Sequence, residues 1–197
     1  MNAYYQTHSI GILYLLGVMT WYSIELIEYL RQREWRRGTT KAGPRAYWPA
    51  FWACMAGAVA VLFLAPHIVP AAAIGDPVAG FVVGMVLLVA GVALRVWSFQ
   101  ALGRYFTFTV RTSPDQPVIS SGPYRLLRHP GYAGGLLATI GIGVMWGNWL
   151  SLGVLAALST LFIVWRIRTE ERTLLASMAG RYGAYAAQHK RLVPLVW

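Results

Sequence analysis

Long apolar runs, separated by short polar segments, dominate the sequence. Five of them have the length and composition of membrane spans: residues 9–30, 48–69, 78–99, 131–146 and 149–165. The first three approach the roughly 20 residues that a helix needs to cross a bilayer. The fourth has 16 residues, enough for about 24 Å of helix, and Gly147 and Asn148 separate it from the fifth. The pattern predicts an all-α integral membrane protein with about five transmembrane helices, the last two forming a helical hairpin.

The polar residues between and after these runs form two larger elements. We expect residues 103–129 and 166–197 to lie in the cytoplasm, the second including a C-terminal helix, and residues 1–197 to form a single transmembrane domain. The first run is too long for the apolar part of a signal peptide and is not preceded by basic residues, so we expect it in the mature protein. Its Glu25 and Glu28 lie in the last turns, near the predicted interface.

The basic residues lie on one side of the predicted spans. Lys and Arg number 17 against 7 Asp and Glu, a net charge of +10, and all 17 lie between runs one and two, around the loop after run three, or after run five. Because cytoplasmic loops are enriched in Lys and Arg, we predict the N-terminus outside and the C-terminus in the cytoplasm. The preference for Arg over Lys indicates a prokaryotic genome, and hence the cell inner membrane.

Composition excludes several classes of protein. The chain is 57% hydrophobic and 12% charged, whereas soluble domains average about half and a quarter. We expect the basic residues to contact membrane lipids and no nucleic acid, because they interrupt apolar runs instead of covering a soluble face. Cys54 is the single cysteine, and four scattered histidines offer no metal-ligand spacing. Three glycine pairs four residues apart favour close helix packing: Gly80 and Gly84, Gly131 and Gly135, and Gly143 and Gly147.

Candidate chemistry is concentrated in the two cytoplasmic elements. Proline favours the first position of a helix, so Pro130 predicts His129 at a helix N-terminus, beside backbone N–H groups that attract anions. Tyr132 lies three residues after His129 on the same helix face. Arg166 and Glu170 lie four residues apart at the end of run five. Each group also has a structural interpretation. His129 can be a helix cap, Tyr132 an interfacial aromatic residue, and Arg166 with Glu170 an intrahelical salt bridge.

In this order the motifs resemble the isoprenylcysteine carboxyl methyltransferases and their prokaryotic relatives, integral membrane enzymes that use S-adenosylmethionine. The resemblance covers about half of the chain, from roughly Tyr105 to the C-terminus. It is carried by Ser121-Gly122-Pro123-Tyr124, Arg128-His129-Pro130-Gly131-Tyr132, Arg166 followed by Glu170-Glu171, and Tyr182, Tyr185 and Val193-Pro194. The first three runs match this family only in hydropathy.

The resemblance implies a cofactor site whose residues are assigned by position. The implied cofactor-binding residues are Gln116, Pro117, Val118, Ile119, Tyr124, His129, Pro130, Gly131, Tyr132 and Glu170. Arg166 is the implied catalytic residue, which orients a substrate carboxylate. Glu171 is an alternative to Glu170 if the register shifts by one, and Arg111 is a further candidate for cofactor contact. Gln116 stands where we expect His in the eukaryotic relatives.

The chemistry of these residues fits methyl transfer from S-adenosyl-L-methionine to a lipophilic acceptor. A carboxylate pairs with the cofactor ammonium, and helix-start N–H groups favour its carboxylate. A guanidinium holds an acceptor carboxylate bidentately. The carboxylate of an isoprenylcysteine-like molecule needs no general base, whereas a phospholipid amine does. We therefore expect a prenylated or other lipophilic substrate that enters from the bilayer.

Other functions stay open at this point. One is a phospholipid or small-thiol methyltransferase of the same fold, and another is a nicotinamide-dependent reductase of an isoprenoid or sterol. A structural or transport bundle is the alternative without catalysis, but the centres of the predicted spans are apolar, which argues against an ion pathway. The sequence has no Rossmann fingerprint, P-loop or HExxH motif.

Overall fold

The architecture is that of a computed structural model, which describes residues 8–31, 40–41, 47–106, 111–112, 117–194 and 197. Five long helices lie within these residues: α1 His8–Arg31, α2 Tyr47–Ile68, α3 Pro77–Leu102, α4 Pro130–Trp146 and α5 Trp149–Gln188. Two short strands, β1 Thr40–Lys41 and β2 Arg111–Thr112, pair antiparallel with Thr40 opposite Thr112. Helices make up most of the described chain, which confirms the predicted all-α class.

The helical hairpin predicted at Gly147 and Asn148 is present, and its turn has a local cause. Gly147 adopts the left-handed conformation, with a φ of 74°, which glycine tolerates without a steric penalty. The Asn148 side-chain oxygen then accepts hydrogen bonds from the amides of Leu150 and Ser151, at 3.0 and 3.1 Å. These bonds cap α5. At the other end of the hairpin, α4 begins at Pro130, the position expected from the sequence.

Helices α3 and α4 approach each other closely through glycines. A Cβ atom on Gly91 would lie 2.4 Å from the Ala138 nitrogen, and one on Gly84 would lie 2.6 Å from the Gly141 carbonyl oxygen. No side chain fits at these two positions, so the glycines set the distance between the helices. The two members of the predicted pair Gly80 and Gly84 contribute unequally to this contact. A Cβ atom on Gly80 would lie 3.7 Å from the Val144 carbonyl oxygen, an ordinary van der Waals distance.

Helix α5 extends beyond residue 165, where the fifth predicted span ends, into the region of the predicted C-terminal helix. It runs for 40 residues, from Trp149 to Gln188, and is interrupted by non-helical backbone at Met178, where φ is −138° and ψ is 38°. The element therefore consists of two helical parts that meet at a kink. Arg166 to Glu171 all lie before Met178, in the first part, which fixes their relative orientation.

Among the described residues, two helical segments are long and apolar enough to cross a membrane, namely Pro77–Tyr105 and Trp149–Met178, and two shorter apolar segments are Ile12–Ile27 and Trp52–Ile68. Large apolar side chains are exposed on the other helices too, such as Leu16 on α1 and Trp52 on α2, which are 57% and 62% exposed. Apolar faces of this extent suit a lipid environment. The number of spans, five, stays a prediction.

The apolar core joins all five helices. Its buried members include Tyr14 on α1, Leu62 on α2, Leu88 on α3, Met145 on α4 and Leu155 on α5. A second, smaller cluster consists of Met178, Tyr182 and Tyr185 on the last part of α5. This second cluster packs against Val118, in the segment that precedes α4, and thus brings the predicted cofactor residues next to α5.

Candidate functional site

A cavity lies where α3 ends and α4 begins, against the second half of α5. The space between these segments, including its open mouth, is about 900 Å³. Eight of the residues predicted to bind the cofactor line it: Pro117, Val118, Ile119, Tyr124, His129, Gly131, Tyr132 and Glu170. Segments distant in sequence therefore meet around one cavity.

The other predicted residues have different positions. Pro130 is the buried first residue of α4, and Arg166 is buried next to the cavity, with 3% of its surface exposed. Arg111 forms part of β2, which is described through its backbone pairing. Gln116 lies outside the described residues.

Tyr132 joins the two charges at the end of the fifth predicted span. Its hydroxyl accepts a hydrogen bond from Arg166 Nε at 2.8 Å and donates one to Glu170 Oε2 at 2.7 Å. Arg166 Nε and Glu170 Oε2 are 3.8 Å apart. The intrahelical salt bridge expected from the spacing is therefore long, and a hydroxyl from α4 supplements it. This arrangement orders a carboxylate that faces the cavity.

Glu171, next in sequence, makes a different set of contacts. Its Oε1 lies 3.1 Å from His129 Nε2 and 3.2 Å from Arg128 Nε, and its Oε2 accepts a hydrogen bond from Arg191 Nε at 2.8 Å. Its side chain is 6% exposed and does not line the cavity. Successive residues of a helix point in directions about 100° apart. Glu170 therefore faces the cavity, whereas Glu171 faces Arg128, His129 and Arg191.

Backbone hydrogen bonds attach the C-terminal segment to the loop before α4. The amides of Arg128 and His129 donate to the carbonyls of Lys190 and Arg191, at 2.8 and 2.9 Å. The Tyr185 hydroxyl donates to the carbonyls of Tyr124 and Leu127 at 2.7 and 3.2 Å. Together with Glu171, these bonds hold the last part of α5 over the cavity.

Three tyrosines around the cavity stay protonated at neutral pH. Burial raises the pKa of Tyr185 to about 12, and burial also raises the pKa of Tyr124 and of Tyr182. The Tyr182 hydroxyl is buried without a hydrogen-bond partner among the described residues. Since a buried hydroxyl is rarely left unpaired, this one is a donor that a bound ligand can satisfy.

Several cavity residues were missed by the sequence analysis: Arg95, Leu102, Tyr105, Phe106, Arg128, Leu174, Met178, Tyr182 and Tyr185. Some carried a signal. Arg128 lies inside the Arg-His-Pro-Gly-Tyr motif, and Tyr182 and Tyr185 lie in the tail pattern. Arg95 is a lone cation within a long apolar run, a position where a charge usually has a functional or structural partner.

The sequence matches a known family over half of its length. The family model described as phospholipid methyltransferase matches residues 79–182. The chain is 33% identical over 116 residues to a probable protein-S-isoprenylcysteine O-methyltransferase of Oryza sativa subsp. indica, covering 58% of this chain and 61% of that protein. It is 30% identical over 115 residues to protein-S-isoprenylcysteine O-methyltransferase B of Arabidopsis thaliana, covering 57% and 58%.

Two further similarities concern a bacterial protein and a solved structure. The chain is 38% identical over 80 residues to the cobalt-zinc-cadmium resistance protein CzcN of Cupriavidus metallidurans, covering 41% of this chain and 37% of that protein. The structure of a eukaryotic intramembrane Ras methyltransferase, an isoprenylcysteine carboxyl methyltransferase, aligns with a TM-score of 0.62 and 24% identity, over 75% of this chain and 53% of that one. At this identity the alignment shows a shared fold. The chain spans about three fifths of the length of the plant relatives.

Proposed function

The chain belongs to the phospholipid methyltransferase family, and from that membership we propose that it transfers the methyl group of S-adenosyl-L-methionine to a lipophilic acceptor. The resemblance to isoprenylcysteine methyltransferases, drawn from the sequence motifs, is confirmed by the named relatives. The observation that carries the proposal is the placement of Glu170 in the wall of the cavity, bonded to Tyr132 and close to Arg166.

We assign the cofactor ammonium to Glu170 and its adenine to the apolar side chains of Val118 and Ile119. When bound, S-adenosylmethionine supplies an electrophilic methyl group on a sulfonium. Glu170 suits this assignment better than Glu171, because Glu170 lines the cavity, whereas Glu171 does not and already pairs with Arg128 and Arg191. The Tyr182 hydroxyl, buried without a partner among the described residues, offers the ligand a further hydrogen bond.

The cofactor carboxylate is assigned to Arg128 together with the start of α4. The sequence predicted several available N–H groups at this helix start, but the amides of Tyr132 and Ala133 already donate to the His129 carbonyl, both at 3.1 Å. Arg128 lines the cavity, and it shares the single charge of Glu171 with Arg191. This leaves a surplus of positive charge beside the cavity, which favours an anionic group.

The proposed acceptor is the carboxylate of an isoprenylcysteine-like molecule, oriented by Arg166. A carboxylate is a nucleophile at neutral pH, so the site needs alignment of the reacting groups more than a strong base. Arg166 lies one turn before Glu170 and bonds to Tyr132, which supports a role next to the cofactor. A phospholipid amine is the second candidate acceptor, because the matching family model is described by that activity.

The membrane topology is part of the proposal. Five spans, an outside N-terminus and a cytoplasmic C-terminus place the cavity at the cytoplasmic ends of α3, α4 and α5, in the inner membrane of a prokaryote. The lipophilic part of the acceptor then enters from the bilayer, while the reacting group meets Arg166 and Glu170.

Titration calorimetry on the protein in lipid nanodiscs tests the proposed function. S-adenosylmethionine is expected to bind, and Glu170→Gln to weaken binding about 10- to 100-fold, because it replaces a charge-assisted interaction with a neutral one. Asp76→Asn is the matched control, because it makes the same carboxylate-to-amide change far from the cofactor residues. Asp76 caps the N-terminus of α3, where its Oδ1 accepts a hydrogen bond from the Ala79 amide at 2.8 Å. Absence of binding by the unchanged protein contradicts the proposal. Incubation with N-acetyl-S-farnesylcysteine or with phosphatidylethanolamine then identifies the acceptor class.

A further inference from the structure

An ion pair joins α1 to the wall of the cavity. Arg95, on α3, donates hydrogen bonds from Nε and Nη2 to the two carboxylate oxygens of Glu25, on α1, with a distance of 2.8 Å from Nη2 to Oε2. The Arg95 and Glu25 side chains are only 12% and 19% exposed. The sequence placed Glu25 in the last turns of the first apolar run, near the predicted interface. The structure adds its bidentate contact with a residue of the cavity wall.

The same guanidinium reaches the first turn of α4. Arg95 Nη1 donates to the Gly131 carbonyl oxygen at 2.7 Å, and Arg95, Gly131 and Tyr132 all line the cavity. Glycines provide the space for this contact, since a Cβ atom on Gly135 would lie 3.3 Å from Nη1 and one on Gly134 would lie 3.1 Å from the Arg95 Cβ. Gly131 and Gly135, expected to serve helix packing, therefore border a guanidinium.

Two aromatic rings also contact Arg95. Its Cζ atom lies 4.9 Å from the centre of the Phe99 ring, on α3, and 5.5 Å from the centre of the Trp21 ring, on α1. Cation–π contacts of this kind favour one orientation of the guanidinium plane. Helix α1 thus contributes both a carboxylate and a ring to the placement of Arg95.

We propose that Glu25 and Arg95 form a positioning pair that ties α1 to the first turn of α4 and thereby orients Tyr132 between Arg166 and Glu170. This inference rests on the methyltransferase function proposed above. Arg95 acts through Gly131 and is a positioning residue. Helix α1 lies outside the matched segment 79–182, so the pair adds to the site a helix that the family model does not include.

The test measures turnover per cofactor-binding site. The unchanged protein and Glu25→Gln are reconstituted in nanodiscs, bound S-adenosylmethionine is titrated, and methyl transfer to N-acetyl-S-farnesylcysteine is followed. Misplacement of Tyr132 is expected to lower kcat per site about 10- to 100-fold and to change the Kd for S-adenosylmethionine less than kcat, because Glu170 keeps its charge. Asp76→Asn, the matched control, is expected to retain the kcat of the unchanged protein.

A purely structural ion pair gives different results. If the pair only stabilises the fold, fewer Glu25→Gln molecules are folded, but each folded molecule has the kcat of the unchanged protein. That result would overturn the proposal. Combining Glu25→Arg with Arg95→Glu restores opposite charges but removes the donor to the Gly131 carbonyl, so we expect no recovery of kcat. Full recovery would also overturn the proposal. Glu25→Asp, which keeps the charge, is expected to retain more activity than Glu25→Gln and serves if Glu25→Gln does not fold.

Hydrogen exchange provides a measurement that does not depend on catalysis. Amides in residues 131–136 are expected to exchange faster in Glu25→Gln than in Asp76→Asn, because the first turn of α4 loses its tie to α1. Equal exchange in the two variants counts against the positioning pair whether or not methyl transfer is observed. Failure of the unchanged protein to bind S-adenosylmethionine, in contrast, counts against the proposed function alone.

Discussion

Replacing Tyr132 with phenylalanine removes a single hydroxyl that bonds to two charged side chains. The hydroxyl lies 2.8 Å from Arg166 Nε and 2.7 Å from Glu170 Oε2. A hydrogen bond to a charged group contributes about 1.5–3 kcal/mol. The two losses do not add fully, because Arg166 and Glu170 are already 3.8 Å apart and can approach each other directly. Water also screens Glu170, whose side chain is 28% exposed.

We therefore expect Tyr132→Phe to lose about 1.5–3 kcal/mol of transition-state stabilisation, which corresponds to a decrease of about 10- to 100-fold in kcat/KM. The assay is methyl transfer from radiolabelled S-adenosylmethionine to N-acetyl-S-farnesylcysteine by protein in nanodiscs. The ring itself remains, including its position 5.7 Å from the centre of the His129 ring, so the folded fraction is expected to change little.

Tyr22→Phe is the matched control for this experiment. It removes a tyrosine hydroxyl from an exposed position on α1, where the hydroxyl lies 3.8 Å from Met55 Sδ on α2. We expect its kcat/KM to equal that of the unchanged protein. If Tyr132→Phe also retains full activity while the protein is folded and binds cofactor, the hydroxyl does not organise the site and the reasoning is wrong.

Two further predictions concern stability. Gly91→Ala is expected to destabilise the protein by about 1–3 kcal/mol or more, because the new Cβ atom would lie 2.4 Å from the Ala138 nitrogen. Gly153→Ala is the control, since nothing lies within 4 Å of its Cβ position. In thermal unfolding it is expected to be neutral or stabilising. Equal unfolding temperatures for the two variants would contradict the close contact of α3 and α4. Because burial raises the pKa of Tyr185 from 10.0 to about 12, its contribution to stability is complete below pH 10 and is lost as the pH rises to 12. The unfolding temperature is therefore expected to fall less steeply over that interval in Tyr185→Phe than in the unchanged protein, and parallel profiles would argue against the raised pKa.

The membrane character and the chemistry of the site follow from local features of the sequence. Apolar runs predict helices whatever their neighbours are, and Gly147 with Asn148 predicts a turn because each satisfies a local backbone requirement. The Arg-His-Pro-Gly-Tyr motif and the Arg166 to Glu170 spacing carry chemistry within a few residues. For that reason most of the residues assigned from the motifs line the same cavity.

Only the tertiary structure decided which groups meet across helices. The sequence favoured Glu170, four residues after Arg166, and left Glu171 as the alternative; the separate environments of the two carboxylates depend on where α4 and the C-terminal segment pack against α5. Glu25 and Arg95, which are in contact, lie 70 positions apart in the sequence. No local sequence pattern predicts a contact between residues so far apart. The sequence by itself thus determined the helices, the membrane preference and the motif chemistry, because these depend on neighbouring residues. The choice of Glu170 for the cavity and the inclusion of α1 at the site depend on packing between distant segments, which only the three-dimensional arrangement specifies.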